Sequence, residues 1–212
     1  MAKSQKKFDG APMIIAMKGH PGTGKSTLAH SIASSLRVPL IDKDDIRDST
    51  VPLQHLPTPT PSSLLNDLSY NAIWQIASTQ LRLGLTVVVD SPLSRRAHLD
   101  SLLSIAQSAG AWVVVVECKP SDQAEWRRRL ERRTGGSHKP VTWRDLEKLL
   151  EGYGGCTEYD VSDVPKMVVD TTARVGLEEL CSSVVEFIAS QGGASVDYQQ
   201  SSKEIPPRVV DT

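Results

Sequence analysis

Gly19-His20-Pro21-Gly22-Thr23-Gly24-Lys25-Ser26-Thr27 is the stretch whose residue types and spacing most plainly serve chemistry. It fits G-x-x-x-x-G-K-[ST], a loop whose backbone N–H groups wrap phosphate oxygens while its lysine and hydroxyl serve phosphate and Mg²⁺. Gly19 and Gly24 allow positive φ and close approach to an anion. The helix expected next adds its positive end. Lys25 suits the outer phosphates as a point charge, where the fork of an arginine is not required. Ser26 is the expected Mg²⁺ ligand, because Mg²⁺ keeps most of its waters and takes few protein oxygens. Thr27 caps or packs. A nucleoside triphosphate is the ligand implied, with the reaction still open. The bland alternative is a glycine-rich turn that holds nothing.

Three further groups could turn such a loop into a phosphoryl-transfer site, where positioning and charge stabilisation matter more than covalent help. Asp90 closes a strand and can hold Mg²⁺ through water beside Ser26; a solvated strand-end aspartate is the alternative. In Asp42-Lys43-Asp44-Asp45-Ile46-Arg47, Asp44 and Arg47 share a face if a helix begins there. A carboxylate at that point can accept the proton of an acceptor hydroxyl, and the arginine can orient the acceptor. One acid of the cluster can serve as N-cap, a role open to Asp42 or Asp45. Arg127, Arg128, Arg129, Arg132 and Arg133 crowd one helix before Gly135-Gly136. One or two of them, swung over the transferring phosphate, would offset its charge; the others are solvated or paired with Asp122, Glu125 or Glu131.

The elements that must position these groups alternate strand and helix. Met13–Met17 is continuously apolar, and Leu28, Ile32, Ala33 and Leu36 fall at helical spacing. Val38–Ile41 reads as a second strand. Ser49–Ser63, with four prolines, cannot be regular and suits a substrate-facing flap, in which His55 is exposed and inert. Ser62 is the expected N-cap of a helix reaching Leu83, on which Tyr70 and Trp74 either pack in the core or line a pocket. Strands follow at Leu85–Asp90, Trp112–Glu117 and Lys166–Asp170, and helices at about 94–109, from 121, at 142–151 and at 177–189. This is the pattern of an α/β chain with a parallel sheet covered on both faces, whose ligands bind beyond the carboxyl ends of the strands. Residues 1–11 form a disordered lead, 12–190 the domain with a lid at about 127–152, and 191–212 a disordered tail. No internal repeat stands out.

Composition narrows the class. At 212 residues the chain can build one full core, and its net charge of −1 supplies no global field for a polynucleotide. Cys118, Cys156 and Cys181 are scattered and odd in number, as in a reducing, cytoplasmic setting. No stretch is apolar for long enough to span a membrane.

The order Gly-x-x-x-x-Gly-Lys-Ser, Asp44-x-x-Arg47, strand-end Asp90 and Arg129-Leu130-Glu131-Arg132-Arg133 resembles the small P-loop kinases, from about Met13 to Ala189. That group includes phage-type polynucleotide 5′-kinases, chloramphenicol phosphotransferase, gluconate kinase and zeta-toxin-like kinases. The resemblance implies a P-loop NTPase three-layer fold with a five-stranded parallel sheet, helices on both faces and an Arg-rich lid, and Mg-ATP as co-substrate. It assigns Asp44 as proton acceptor and Arg47 as acceptor ligand. Arg133 matches the lid arginine, with Arg129 second, and Thr171, Thr172 and Arg174 lie near the adenine. The reading favoured is an ATP-dependent kinase acting on a hydroxyl of a small molecule. A polynucleotide 5′-hydroxyl kinase and a P-loop ATPase or regulatory nucleotide-binding module are the alternatives. A GTPase switch is disfavoured, since Asp90-Ser91-Pro92-Leu93 fails D-x-x-G. The acceptor's identity, the oligomeric state and any role for the Pro-rich loop stay open.

Overall fold

A computed structural model describes residues 10–133 and 139–191. The expected lead and tail fall almost wholly outside that range, as does the Gly135-Gly136 hinge. The chain runs β1 (Met13–Lys18), α1 (Lys25–Leu36), β2 (Leu40–Asp42), α2 (Lys43–Ser49), a 3₁₀ turn (Val51–Gln54) and α3 (Ser62–Arg82). It continues with β3 (Val87–Asp90), α4 (Arg96–Ser108), β4 (Trp112–Cys118), α5 (Gln123–Glu131), α6 (Trp143–Tyr153), β5 (Lys166–Val169) and α7 (Leu177–Gln191).

All five strands are parallel, in the order β2-β3-β1-β4-β5. Because side chains alternate along a strand, β1 serves two cores. Ile14 and Ala16 face α3 and α4, whereas Met13, Ile15 and Met17 face α1 and α7. Three layers result, with β1 central and the chain diverging to either side of it. The crevice at such a divergence is where open α/β sheets bind ligands.

Two local expectations are corrected, and one strand differs from its neighbours. The Pro-rich loop contains a regular turn, since Pro52 fits the first positions of the 3₁₀ segment. Pro61, not Ser62, holds the N-cap position of α3; Ser62 is already helical and its Oγ accepts a hydrogen bond from Arg47 Nη2 (3.1 Å). Strand β5 is not buried on both faces: Lys166 and Val168 are exposed, because it forms the sheet edge.

Candidate active site

The loop between β1 and α1 is held by one internal hydrogen bond and two from outside. Gly19 N–H donates to Pro92 O (3.2 Å), Thr23 Oγ1 to His20 O (2.8 Å), and Thr171 Oγ1 to Thr23 O (2.5 Å). Gly19 (φ 150°) and Gly24 (φ 81°) both adopt backbone angles that side chains disfavour. Gly22 (φ 81°) adds a second demand, because a Cβ there would sit 3.1 Å from Leu130 Cβ on α5. A side chain at this position would be strained by the backbone angle and would press on α5. Gly24 is the N-cap of α1 and offers no side-chain cap, which leaves the helix's first N–H groups for an anion.

An aromatic contact that the sequence did not disclose fixes α5 over this loop. Trp126 Nε1 donates to Pro21 O (2.9 Å), its ring stacks on His20 with centroids 6.2 Å apart, and Trp143 of α6 meets it edge-on at 5.1 Å. The only usable signal was a tryptophan in an otherwise charged helix. Burial and the charge of Lys18 hold the His20 imidazole below its usual pKa.

Lys25, the first residue of α1, and Asp90, the last of β3, form a buried ion pair at the end of the strand next to β1. Asp90 is fully enclosed, and its Oδ2 has no hydrogen-bond partner among the described residues. An orphaned, enclosed carboxylate oxygen close to the start of α1 fits a hydrated Mg²⁺ shared with Ser26, since Mg²⁺ needs few protein oxygens when phosphates supply the others. No group of three or more His, Cys, Asp or Glu side chains among the described residues could hold a metal alone. Asp42 lies opposite Asp90 in the β2–β3 register, and burial with that neighbouring charge pushes its carboxyl up to about 6. It is the N-cap of α2, accepting from Asp44 N–H at 2.8 Å.

Asp44 lies on α2 with its side chain in the same cleft. Burial alone would raise its carboxyl, but the hydrogen bond from Lys139 (2.9 Å) and the charge of Lys43 (3.6 Å) outweigh it and bring it to about 2. Lys139 lay beyond sequence reasoning, because nothing in its local sequence points at an aspartate 95 positions earlier. Arg47 is only 1% exposed and lines the cleft, with Nη1 donating to Thr50 Oγ1 (3.0 Å) and Nη2 to Ser62 Oγ.

Of the arginine helix, Arg129 and Arg133 line the cleft. Arg129 is engaged by Glu125 (2.7 Å) and Thr171 O (2.8 Å), and Arg127 and Arg128 pair with Glu131 and Glu125 on the outside. Arg174 is exposed and does not line the cleft; Ala173, Val175, Leu177 and Leu180 form that apolar end instead. Tyr70 is both core and lining: 5% exposed, stacked on His98 at 3.9 Å and touching the cleft, whereas Trp74 is core. The whole is one cleft of about 880 Å³, running from Leu177 past Gly19–Thr27 to Asp44 and His98.

Among solved structures the chain is similar to three kinases or suspected kinases. A suspected kinase from Chloroflexus aurantiacus is 21% identical, with 84% of this chain and 98% of that one covered at a TM-score of 0.65. A gluconokinase from Sinorhizobium meliloti is 22% identical over 86% and 95%, at 0.56. The APS kinase CysC of Mycobacterium tuberculosis, solved with AMPPNP and APS, is 14% identical over 84% and 98%, at 0.54. No curated protein sequence matched. The family described as an AAA domain matches residues 14–155, more than half of the chain and all of the site's first three elements. This chain belongs to that family, and its fold is one it shares with small P-loop kinases.

Proposed function

We propose that the chain is an ATP-dependent phosphotransferase that moves the γ-phosphate of Mg-ATP to a hydroxyl of a small-molecule acceptor. The observation that carries this is that Gly19–Thr27 and Asp44 line one cleft, so a triphosphate and an alcohol can meet there. Backbone N–H groups of the loop and Lys25 bind the phosphate tail; His20, Pro21 and Thr23 shape it, and the apolar end at Ala173 and Leu180 suits a purine. Ser26 and Asp90 would hold Mg²⁺, whose charge neutralises the phosphate oxygens.

Asp44 accepts the proton of the acceptor hydroxyl as its oxygen bonds to the γ-phosphorus and the bond to the bridging oxygen breaks, leaving ADP. Its carboxyl, near 2, is ionised at every physiological pH and therefore always ready, though weak as a base. That suits a loose transition state, in which the proton moves late. Arg47, braced by Thr50 and Ser62, orients the acceptor. Arg133 covers the phosphate and Arg129 stiffens the loop through Thr171. The gluconokinase and the APS kinase act, by name, on small molecules, which favours such an acceptor by fold-level analogy. A polynucleotide acceptor is disfavoured by the net charge of −1. With Cys118, Cys156 and Cys181 all free and no described helix long and apolar enough to cross a membrane, we place the protein in the cytoplasm.

The test is incubation with Mg-ATP and a metabolite extract, read as a mass gain of one phosphate on a single compound. Asp44→Asn should abolish that gain and leave Mg-ATP binding intact; unchanged turnover would remove Asp44 from the mechanism.

A further inference from the structure

We propose that the acceptor is a small anion bearing a hydroxyl, and that Arg95 holds its negative group; this rests on the phosphotransferase reading above. The half of the cleft away from the phosphate loop is lined by four cations, Lys43, Arg47, Arg95 and Lys139, against two carboxylates, Asp44 and Asp67. Four positive charges less two negative leave an excess of two, in a chain whose net charge is −1. The excess is local, and a concave wall with low-dielectric flanks focuses it.

The four cations are not equivalent. Lys43 is engaged by Asp44 and Asn66, Arg47 by Thr50 and Ser62, and Lys139 by Asp44. Of the four, only the Arg95 side chain has no hydrogen bond or ion pair among the described residues, its backbone carbonyl accepting from His98 N–H (3.0 Å), and the first turn of α4 beside it contains no acid. A guanidinium left unpaired at a cleft wall presents the planar fork that meets a carboxylate or phosphate through two parallel hydrogen bonds.

His98, one turn further along α4, supports the same occupant. Its Nδ1 is enclosed without a partner, so Nε2 is the polar atom left to face the cleft. Burial first, then the charges of Arg95 and Lys43, hold the ring neutral, with its pKa near 4. A neutral imidazole can hydrogen-bond a hydroxyl of the acceptor without repelling the cations around it. The wall thus offers one charged fork and one neutral partner, which matches a hydroxy acid or a sugar monophosphate. A neutral polyol would leave the excess charge unanswered, and a polynucleotide needs a track of several phosphate-binding cations.

To test this, a cell extract is passed through a small-molecule cut-off membrane and the filtrate split on an anion exchanger at neutral pH. The full chain is then assayed with γ-labelled Mg-ATP against each fraction. Transfer to a compound in the anion-retained filtrate is the expected result. Loss of that acceptor after phosphatase treatment identifies a phosphate monoester, and survival identifies a carboxylate. Transfer only to the unretained filtrate, or only to the polymer fraction, overturns the inference and leaves a kinase of another specificity. No transfer to any fraction, with Mg-ATP still bound, defeats the phosphotransferase reading and this inference with it. Arg95→Gln should raise the acceptor KM about tenfold or more, the size expected for one lost charged hydrogen-bonding partner. Arg95→Lys should restore part of it, and Mg-ATP affinity should not move. An unchanged KM in Arg95→Gln removes Arg95 from the site.

Discussion

Two lysine–aspartate pairs occupy the two halves of the cleft, and they are built on opposite terms. Lys25–Asp90 lies at the phosphate end, with the aspartate side chain fully enclosed and the lysine 10% exposed. Asp90 ends β3 and Lys25 opens α1, one loop beyond the neighbouring β1, so the chain's short path from sheet to helix places the pair. Lys139–Asp44 lies at the acceptor end, with side chains 20% and 25% exposed, and joins α2 to a segment 95 positions away. The first pair belongs to the sheet's architecture. The second is a side-chain contact that water can partly replace. Under the proposed function the same line divides the ligands: a phosphate tail shared by all nucleotides calls for a rigid backbone cradle, whereas a particular acceptor calls for side chains that can vary.

Substitution should separate the two. Lys25→Ala is expected to lower transfer by about 10²–10³-fold, as when one preorganised charge-stabilising donor is lost. By leaving Asp90 buried without its partner it should also cost roughly 3–5 kcal/mol in urea unfolding. Lys139→Ala should cost about 1 kcal/mol or less in the same assay, the range of partly solvated pairs. Equal destabilisation by the two would erase the distinction. The loop itself is broken next: Gly22→Ala forces a side chain into a left-handed position against Leu130, and about 1–2 kcal/mol of stability should disappear. A thermal midpoint equal to that of the parent protein would show that α5 does not press on the loop.

Acid titration sharpens the contrast with a smaller effect. Asp44 is held near 2, so its contribution to stability is complete above the ordinary carboxylate range and is lost as pH falls towards 2. Lys139→Met should raise the Asp44 carboxyl, read by carbon NMR, and move the acid limb of transfer against pH towards neutrality. Rates at pH 8 should change little, and a resonance that does not move would show that Lys43 and Lys25 suffice to hold the carboxyl down. A second titration is expected at His98, depressed from 6.5 to about 4. Its contribution is present above 6.5 and is lost as pH falls through that interval, because the unfolded chain takes up the proton first. His98→Gln should flatten the dependence of Tm on pH between those values. A slope identical to the parent's would place the cause elsewhere.

Much of this molecule could be read from residue order. The apolar run of β1, the glycines and Lys25 of the loop, and the strand-helix alternation fixed the layers and the phosphate end of the cleft, because these features depend on local spacing and backbone sterics. One boundary resisted: Ser62 was expected to cap α3, and Pro61 holds that position instead.

At the acceptor end, Asp44 and Arg47 were legible through their spacing, while Lys139, Arg95, His98 and the Trp126 brace were not. Each of those lies on a different segment and acquires meaning only from what stands opposite. By itself the sequence determined that a glycine-rich loop leads from an apolar strand into a helix in a parallel α/β sheet, since that loop is a continuous stretch of backbone. Only the tertiary structure decided which charges surround the second ligand, because those charges converge from α2, α3, α4 and the segment after α5, and no local pattern records a distance across a cleft.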